Sequence, residues 1–150
     1  MAETIQAYFF GISYGERLNG KMVGLAGFAI PDLGVVFRSR CEGTLYECQY
    51  AGLLALLDFI HNNKKNLSPY KFEVLSDSAL VVHQIAHNKF ISRELAPYHD
   101  TAINYKQKIN YRVTWVPRHE NIAITGMADN PPYKSDLKLN YEIGHSRHSS

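Results

Sequence analysis

What this chain lacks excludes several broad classes of protein. Its 150 residues contain only two cysteines, Cys41 and Cys48, and no Cys-x-x-Cys pair, so neither a disulfide nor a cysteine-bound metal is indicated. No apolar run is long enough to cross a bilayer, and no basic-then-apolar leader is present. The net charge of +2 permits a polyanionic partner without arguing for one. We therefore expect two reduced thiols in a cytoplasmic protein that does not bind membranes.

Catalytic signatures that depend on local spacing are also missing. No glycine-rich phosphate loop and no Ser/His/Asp triad is suggested by the sequence. His83 and His87 have the i, i+4 spacing of a metal pair, but no third ligand with suitable spacing is evident. We interpret them as part of a solvated helix face that also carries Gln84. The length fits one domain, predicted at 1–130, with a loose, polar, basic tail at 131–150.

Hydrophobic patterning predicts three strands, a helix, a strand, two helices, a strand and a weak last helix. The first three strands are spaced for antiparallel hairpins, and helical crossovers should add the last two strands as a parallel pair. The predicted fold is α/β, a mixed five-stranded sheet with helices on both faces. Strands are expected at 5–12, 22–30, 35–40, 72–77 and 111–117, a loop at 14–20, and helices at 44–62, at 78–89, from Ser92 or Pro97, and after Asn121.

The stretch 72–85 joins a buried strand directly to a helix. Apolar residues form the strand, and Val81, Val82 and Ile85 then repeat at helical spacing. Asp77 stands between the two, at the carboxyl end of the strand, where open α/β sheets usually place their ligands. We predict that its carboxylate is either a ligand at this edge or only a cap and dipole partner for the helix.

Four segments together resemble the type 1 ribonuclease H family over roughly residues 5–129. The run Tyr-Phe-Phe-Gly at 8–11 is similar to the first strand, which ends in Asp-Gly in active members. The run Thr-Leu-Tyr-Glu-Cys-Gln at 44–49 is similar to the first helix, whose pattern is Thr-Asn-Asn-x-x-Glu. The run 72–85 is similar to the family's Asp-Ser-x-x-Leu/Val-Val unit, and 115–121 to the loop before the last catalytic helix.

The resemblance implies hydrolysis of the RNA strand of an RNA–DNA hybrid by two Mg²⁺ ions that four carboxylates hold. Only one of these carboxylates is present here. Since two Mg²⁺ ions need several carboxylates to offset their mutual repulsion, we expect no bound cofactor. Mg²⁺ or Mn²⁺ is expected as a cofactor only if the chain is a weak or altered ribonuclease H. The four matching positions hold Phe10, Gln49, Asp77 and Thr125.

A metal site rebuilt from other acids is the alternative. Asp129 follows Thr125 by four residues, which places both on one helix face. Glu47 is not a candidate, because a capping box with Thr44 predicts that its carboxylate closes the first helical turn. The candidate set is Asp77, Asp129 and His119 or Glu120.

Several residues that contact the substrate in the family are also replaced in this chain. A serine after Asp-Gly and two asparagines after the helix-opening threonine grip the minor groove, where RNA displays its 2′-hydroxyls. Here these positions hold Ile12, Leu45 and Tyr46. The residues still predicted to contact nucleic acid are Ser13, Thr44, Tyr46, Arg118 and His119.

We therefore interpret the chain as a catalytically degenerate ribonuclease H-like domain, a pseudoenzyme that binds an RNA–DNA hybrid or structured RNA. The first alternative is a protein-interaction or homodimerisation module, with an apolar surface formed by Phe10, Leu45 and Tyr46. The second alternative is a weak or altered metal-dependent ribonuclease H. The chain is expected to be a monomer or a homodimer.

Overall fold

The computed structural model describes residues 3–18 and 20–126, which contain one five-stranded sheet. The strands are β1 (Thr4–Leu18), β2 (Lys21–Ile30), β3 (Val35–Glu42), β4 (Lys71–Ser76) and β5 (Tyr111–Trp115). Their order across the sheet is β3-β2-β1-β4-β5. The β1–β2 and β2–β3 pairs are antiparallel, whereas β1–β4 and β4–β5 are parallel. The predicted mixed sheet is confirmed.

Helices cover both faces of this sheet, as predicted. They are α1 (Leu45–Asn62), α2 (Lys64–Leu67), α3 (Ala79–His87), α4 (Ala96–Asn104) and α5 (Ile122–Thr125). Side chains of α1, α3 and α4 pack into the larger hydrophobic cluster on one face. Ala123 of α5 packs into a smaller cluster on the other face.

The alternation of side chains along β1 separates these two clusters. Ala7 and Phe9 point into the larger cluster, under α1. Tyr8 and Phe10 point the opposite way, into the smaller cluster with Leu75. Position 10, the first-acid position of the family pattern, therefore lies on the face that α5 covers.

The start of α1 is set by the predicted capping box, which is confirmed. The Thr44 hydroxyl accepts the Glu47 N–H at 3.3 Å, and Glu47 Oε1 accepts the Thr44 N–H at 2.8 Å. These bonds satisfy two of the N–H groups that a helix start leaves without partners. Glu47 also accepts the Tyr98 hydroxyl at 3.3 Å, so its carboxylate is occupied away from Asp77. The predicted apolar stripe of α1 is buried: Leu53, Leu56, Leu57 and Ile60.

Two predicted boundaries are wrong. The loop expected at 14–20 is largely strand, because β1 continues to Leu18 across a register shift between Ser13 and Glu16. Gly15 has φ +71°, so the bulge uses a conformation that glycine adopts without strain. The helix expected from Ser92 begins instead at Ala96. Pro97 lies in its first turn, where proline costs no hydrogen bond, and this confirms the alternative start.

Cys41 and Cys48 are free thiols, as expected. A hydrogen bond from Cys48 lowers the pKa of Cys41, and the same bond, with burial, raises the pKa of Cys48. No helix within 3–18 and 20–126 is long and apolar enough to cross a membrane. The predicted tail at 131–150 and Asp129 lie outside the described residues, and the domain boundary at 130 stays a prediction.

Candidate functional site

Asp77 follows β4 directly, and its carboxylate is held by a fully buried side chain, Asn121. Asn121 Nδ2 donates to Asp77 Oδ1 at 2.8 Å and to the carbonyl oxygen of Phe9 at 2.8 Å. Its Oδ1 accepts the Ala123 N–H at 3.1 Å. One amide therefore joins β1, the end of β4 and the start of α5.

The sequence predicts Asn121 only as a helix cap, and this is confirmed by its bond to Ala123. Its contact with Asp77 spans 44 positions of the chain, so no local pattern shows it. The signal that does point to it is the resemblance of residues 115–121 to the loop before the family's last catalytic helix, which places Asn121 at the start of that helix. Asp77 does not cap α3, because Ser78 is the N-cap and no side chain makes a capping bond there; its role as a partner of the helix dipole stays a prediction.

Phe10 is buried, with only 2% of its surface exposed. It stands in a cross-strand row with Gly27 and Arg38. Because Gly27 has no side chain, Arg38 reaches across it, and the guanidinium carbon lies 5.7 Å from the Phe10 ring centroid. The prediction that Phe10, Leu45 and Tyr46 form an apolar surface is therefore wrong for Phe10, which is buried, whereas Leu45 and Tyr46 are exposed.

Arg38 fixes a positive charge on this side of the sheet. Its Nη2 donates to the carbonyl oxygen of Ala123 at 2.7 Å and lies 3.4 Å from that of Ile124. The guanidinium thus holds the carbonyl end of α5 over the position where the family pattern has its first acid. A metal ion at the position of the Phe10 ring would lie 5.7 Å from this like charge. Sequence reasoning did not single out Arg38, because its contacts lie 85 and 86 positions away.

Gln49 and Thr125 complete the set of family positions. A Cβ on Gly11 would lie 2.2 Å from the backbone nitrogen of Gln49, so α1 passes against β1 right beside position 10. The Gln49 side-chain oxygen is buried and has no hydrogen-bond partner. Thr125 is exposed, and its hydroxyl donates to the Asn121 carbonyl oxygen at 3.3 Å. The site offers one carboxylate, one neutral amide, one hydroxyl and a ring.

Comparison with family models and with curated proteins finds no match to this sequence. Solved structures do match. A ribonuclease H1 from the halophilic archaeon Halobacterium salinarum is 23% identical, with 79% of this chain and 89% of that chain covered and a TM-score of 0.58. A compost-derived ribonuclease H1 in complex with RNA/DNA hybrid is 21% identical, with 78% and 88% covered and a TM-score of 0.62. The chain has a ribonuclease H-like fold.

The N-terminal ribonuclease H domain of a Mycobacterium tuberculosis protein gives a similar result. It is 26% identical, with 78% of this chain and 86% of that domain's chain covered and a TM-score of 0.55. Positions 10, 49, 77 and 125 come from β1, α1, the end of β4 and α5, the elements that the ribonuclease H-like fold arranges around the start of α5. The fold does not supply the acids that three of these positions lack.

The described acids of the alternative metal site are not grouped, and the alternative as a whole stays a prediction because Asp129 lies outside the described residues. His119 and Glu120 are both exposed, and His119 Nε2 lies 3.6 Å from Glu120 Oε2, so they pair with each other. Within the part of the chain that the structure describes, no three His, Cys, Asp or Glu side chains are grouped to hold a metal ion. Among the described residues, the Gln49 oxygen and Asp77 do not supply the several carboxylates that two Mg²⁺ ions need, and the absence of a bound metal stays a prediction.

The predicted nucleic-acid contacts divide into two kinds. Ser13 and Thr44 use their hydroxyls locally, accepting the N–H groups of Gly15 and Glu47. Tyr46, Arg118 and His119 are exposed, and His119 lies against Glu120. Their role in binding stays a prediction.

The Asn121 bridge gives a stability prediction. Asn121→Ala is expected to lower the free energy of unfolding by about 2–3 kcal/mol, because three hydrogen bonds are lost and the Phe9 carbonyl stays buried without this donor. Urea denaturation measures the change. The matched control is Asn104→Ala, at an exposed helical position, and it should change stability by less than about 0.5 kcal/mol. Equal losses in both variants would contradict the bridge.

Proposed function

We propose that this chain is a catalytically degenerate ribonuclease H-like domain that binds an RNA–DNA hybrid or structured RNA without cleaving it. The observation that carries the proposal is the position of Arg38, whose guanidinium lies over the Phe10 ring. A cation of the chain itself therefore occupies the neighbourhood in which the family's mechanism requires acids and metal ions.

The local charges support loss of the metals. Asp77 contributes one negative charge and already accepts a hydrogen bond from Asn121, while Arg38 contributes one positive charge. The described part of the site is close to neutral. Two divalent cations bring a charge of about +4, which several carboxylates must balance before the ions release their bound waters. The absence of a cofactor is therefore part of the proposal.

Nucleic acid is the partner that the fold favours. The compost-derived neighbour was solved with an RNA/DNA hybrid, and this chain matches it over most of its length. A guanidinium at the site suits a phosphate and repels a metal ion. The protein-interaction alternative is weakened, because Phe10 is buried and cannot contribute to the apolar surface on which it rests.

The test uses a charge change at Asp77, the one carboxylate among the four family positions. Asp77→Asn removes a negative charge near the bound phosphates but keeps an oxygen that accepts the Asn121 amide. In a binding module, hybrid affinity should rise by about fivefold, the size of one close charge–charge repulsion in water. Fluorescence anisotropy with a labelled hybrid measures this, at several salt concentrations.

Asp32→Asn is the matched control, because Asp32 is exposed in the turn after β2 and carries the same charge. It should change affinity much less than Asp77→Asn. Affinity for the hybrid should fall steeply as salt rises, since phosphate contacts release counterions. Absent binding, or binding that does not respond to salt, would contradict the proposal.

A further inference from the structure

Phe90 combines high exposure with an unusual backbone. Its side chain is 84% exposed, the highest value among the exposed large hydrophobic residues of the described chain. Its φ is +59°, and Asn88, two residues earlier, has φ +56°. Asparagine often adopts this conformation at the end of a helix, whereas a bulky residue rarely does. The chain therefore holds an aromatic ring in water at a conformational cost.

A buried side chain holds the Phe90 backbone in place. Gln84 is 1% exposed, and its Nε2 donates to the Phe90 carbonyl oxygen at 3.1 Å. Its Oε1 accepts the Tyr50 hydroxyl at 2.6 Å, and Tyr50 is completely buried in the core. Burial raises the pKa of Tyr50, so this hydroxyl stays a donor at neutral pH. The prediction that Gln84 belongs to a solvated face is wrong, because its amide links α1 to the segment after α3.

Two exposed histidines extend the Phe90 ring into a larger aromatic surface. The rings of His83 and Phe90 are nearly parallel, with 18° between their planes and 6.5 Å between centroids. The His83 and His87 centroids are 4.7 Å apart with 51° between the ring planes, so His87 borders the His83–Phe90 pair at an angle. Among the exposed side chains of the following segment, Lys89 and Arg93 are cationic and Glu94 is acidic, so the surroundings favour a polyanion.

We propose that His83, His87 and Phe90 form a stacking platform for an unpaired nucleobase of the bound nucleic acid. This inference rests on the proposed function and adds a second subsite to it. Exposed aromatic faces beside cationic side chains are the combination that binds single-stranded nucleic acid, because every base has a π-face. Asp77 lies just before α3 and Phe90 just after it, and α3 has nine residues and is about 14 Å long. At about 3.4 Å per nucleotide, this length corresponds to roughly four nucleotides.

The test compares two labelled probes by fluorescence anisotropy. One is a blunt RNA–DNA hybrid, and the other is the same hybrid with a single-stranded extension of about eight nucleotides, long enough to span α3. The parent chain should bind the extended probe about tenfold more tightly, a gain typical of one base–aromatic stack. Phe90→Ala should abolish this gain and leave affinity for the blunt hybrid unchanged. Phe90→Trp should keep the gain, because it preserves an aromatic face.

Lys89→Gln is the control for charge: it removes a cation beside the platform but keeps the Phe90 ring, so it should reduce the gain much less than Phe90→Ala does. Equal affinity of the parent for both probes, or an unchanged gain in Phe90→Ala, would overturn the platform and leave the proposed function standing. Failure of the parent to bind either probe would overturn the proposed function, and the platform with it. A platform that serves a protein partner instead gives the first of these results.

Discussion

Restoring the missing acids should give this chain an affinity for Mg²⁺ and Mn²⁺ that the parent lacks. The variant combines Phe10→Asp, Gln49→Glu and Thr125→Asp with Arg38→Ala. It places three new carboxylates around Asp77 and removes the guanidinium that lies over position 10. Four carboxylates are the ligand set that two hard divalent ions need, so we expect dissociation constants on the order of 1 mM or tighter. Isothermal titration calorimetry measures the affinity.

The variant carries four substitutions rather than three because Arg38 must also be replaced. With Arg38 retained, its guanidinium should pair with the new carboxylate at position 10 and compete with the metal. The triple variant, which retains Arg38, should therefore bind Mg²⁺ at least about tenfold more weakly than the quadruple variant, a difference of about 1.4 kcal/mol. Equal metal affinities of the two variants would show that Arg38 does not control this site.

Folding of the restored variant is controlled separately. Phe10 is buried, and its loss from the core is expected to cost about 3–5 kcal/mol without metal. Metal that binds only the folded chain should recover part of this loss, so thermal stability should rise with Mg²⁺ concentration. The double variant Gln49→Glu with Thr125→Asp keeps Phe10 and so tests the other two positions in an intact core. It should bind metal more weakly than the quadruple variant. If the quadruple variant folds but binds no metal, the assignment of the four family positions is contradicted.

Gly52→Ala should destabilise the chain by more than about 3 kcal/mol, although alanine is the better helix former. Gly52 lies within α1, and a Cβ there would be 2.3 Å from the Phe10 carbonyl oxygen and 3.0 Å from that of Gly27. Both atoms are backbone of the central strands and cannot move aside. Helix propensity alone predicts a gain of about 1 kcal/mol, so the two effects have opposite signs.

Urea denaturation of Gly52→Ala decides between these signs. Gly126→Ala is the matched control, because φ there is −166° and nothing lies within 4 Å of the added Cβ. It should leave stability within about 0.5 kcal/mol of the parent. A Gly52→Ala chain as stable as the parent would contradict the close approach of α1 and β1, which brings Gln49 beside position 10.

Local chemistry explains which features the sequence could predict. The capping box of Thr44 and Glu47 lies within four residues, and the apolar stripe of α1 follows from helical spacing. The carboxyl end of β4, and Asp77 with it, follows from a buried strand that meets a helix. Each of these depends on neighbours along the chain, so pattern reasoning places them correctly.

Contacts between distant segments explain what the sequence could not show. Arg38 lies over Gly27 in the row that ends at Phe10 and donates to the Ala123 carbonyl oxygen, and no spacing rule joins positions 38 and 123. Gln84 is buried because its amide joins Tyr50 to the Phe90 backbone, which overrides the polar character that places glutamine on a surface. The bulge at Gly15 keeps a glycine-containing stretch in the strand, where the same letters usually indicate a loop.

The most direct test of the proposed function is a cleavage assay on an RNA–DNA hybrid whose RNA strand is labelled. The parent chain, with Mg²⁺ or Mn²⁺, is incubated beside Asp77→Asn, and the RNA is resolved on a denaturing gel. We expect the RNA strand to stay full-length in both lanes, under conditions in which anisotropy shows the hybrid bound. Metal-dependent RNA fragments in the parent lane that disappear with Asp77→Asn would contradict the account, because they would mean that the chain is a working ribonuclease H.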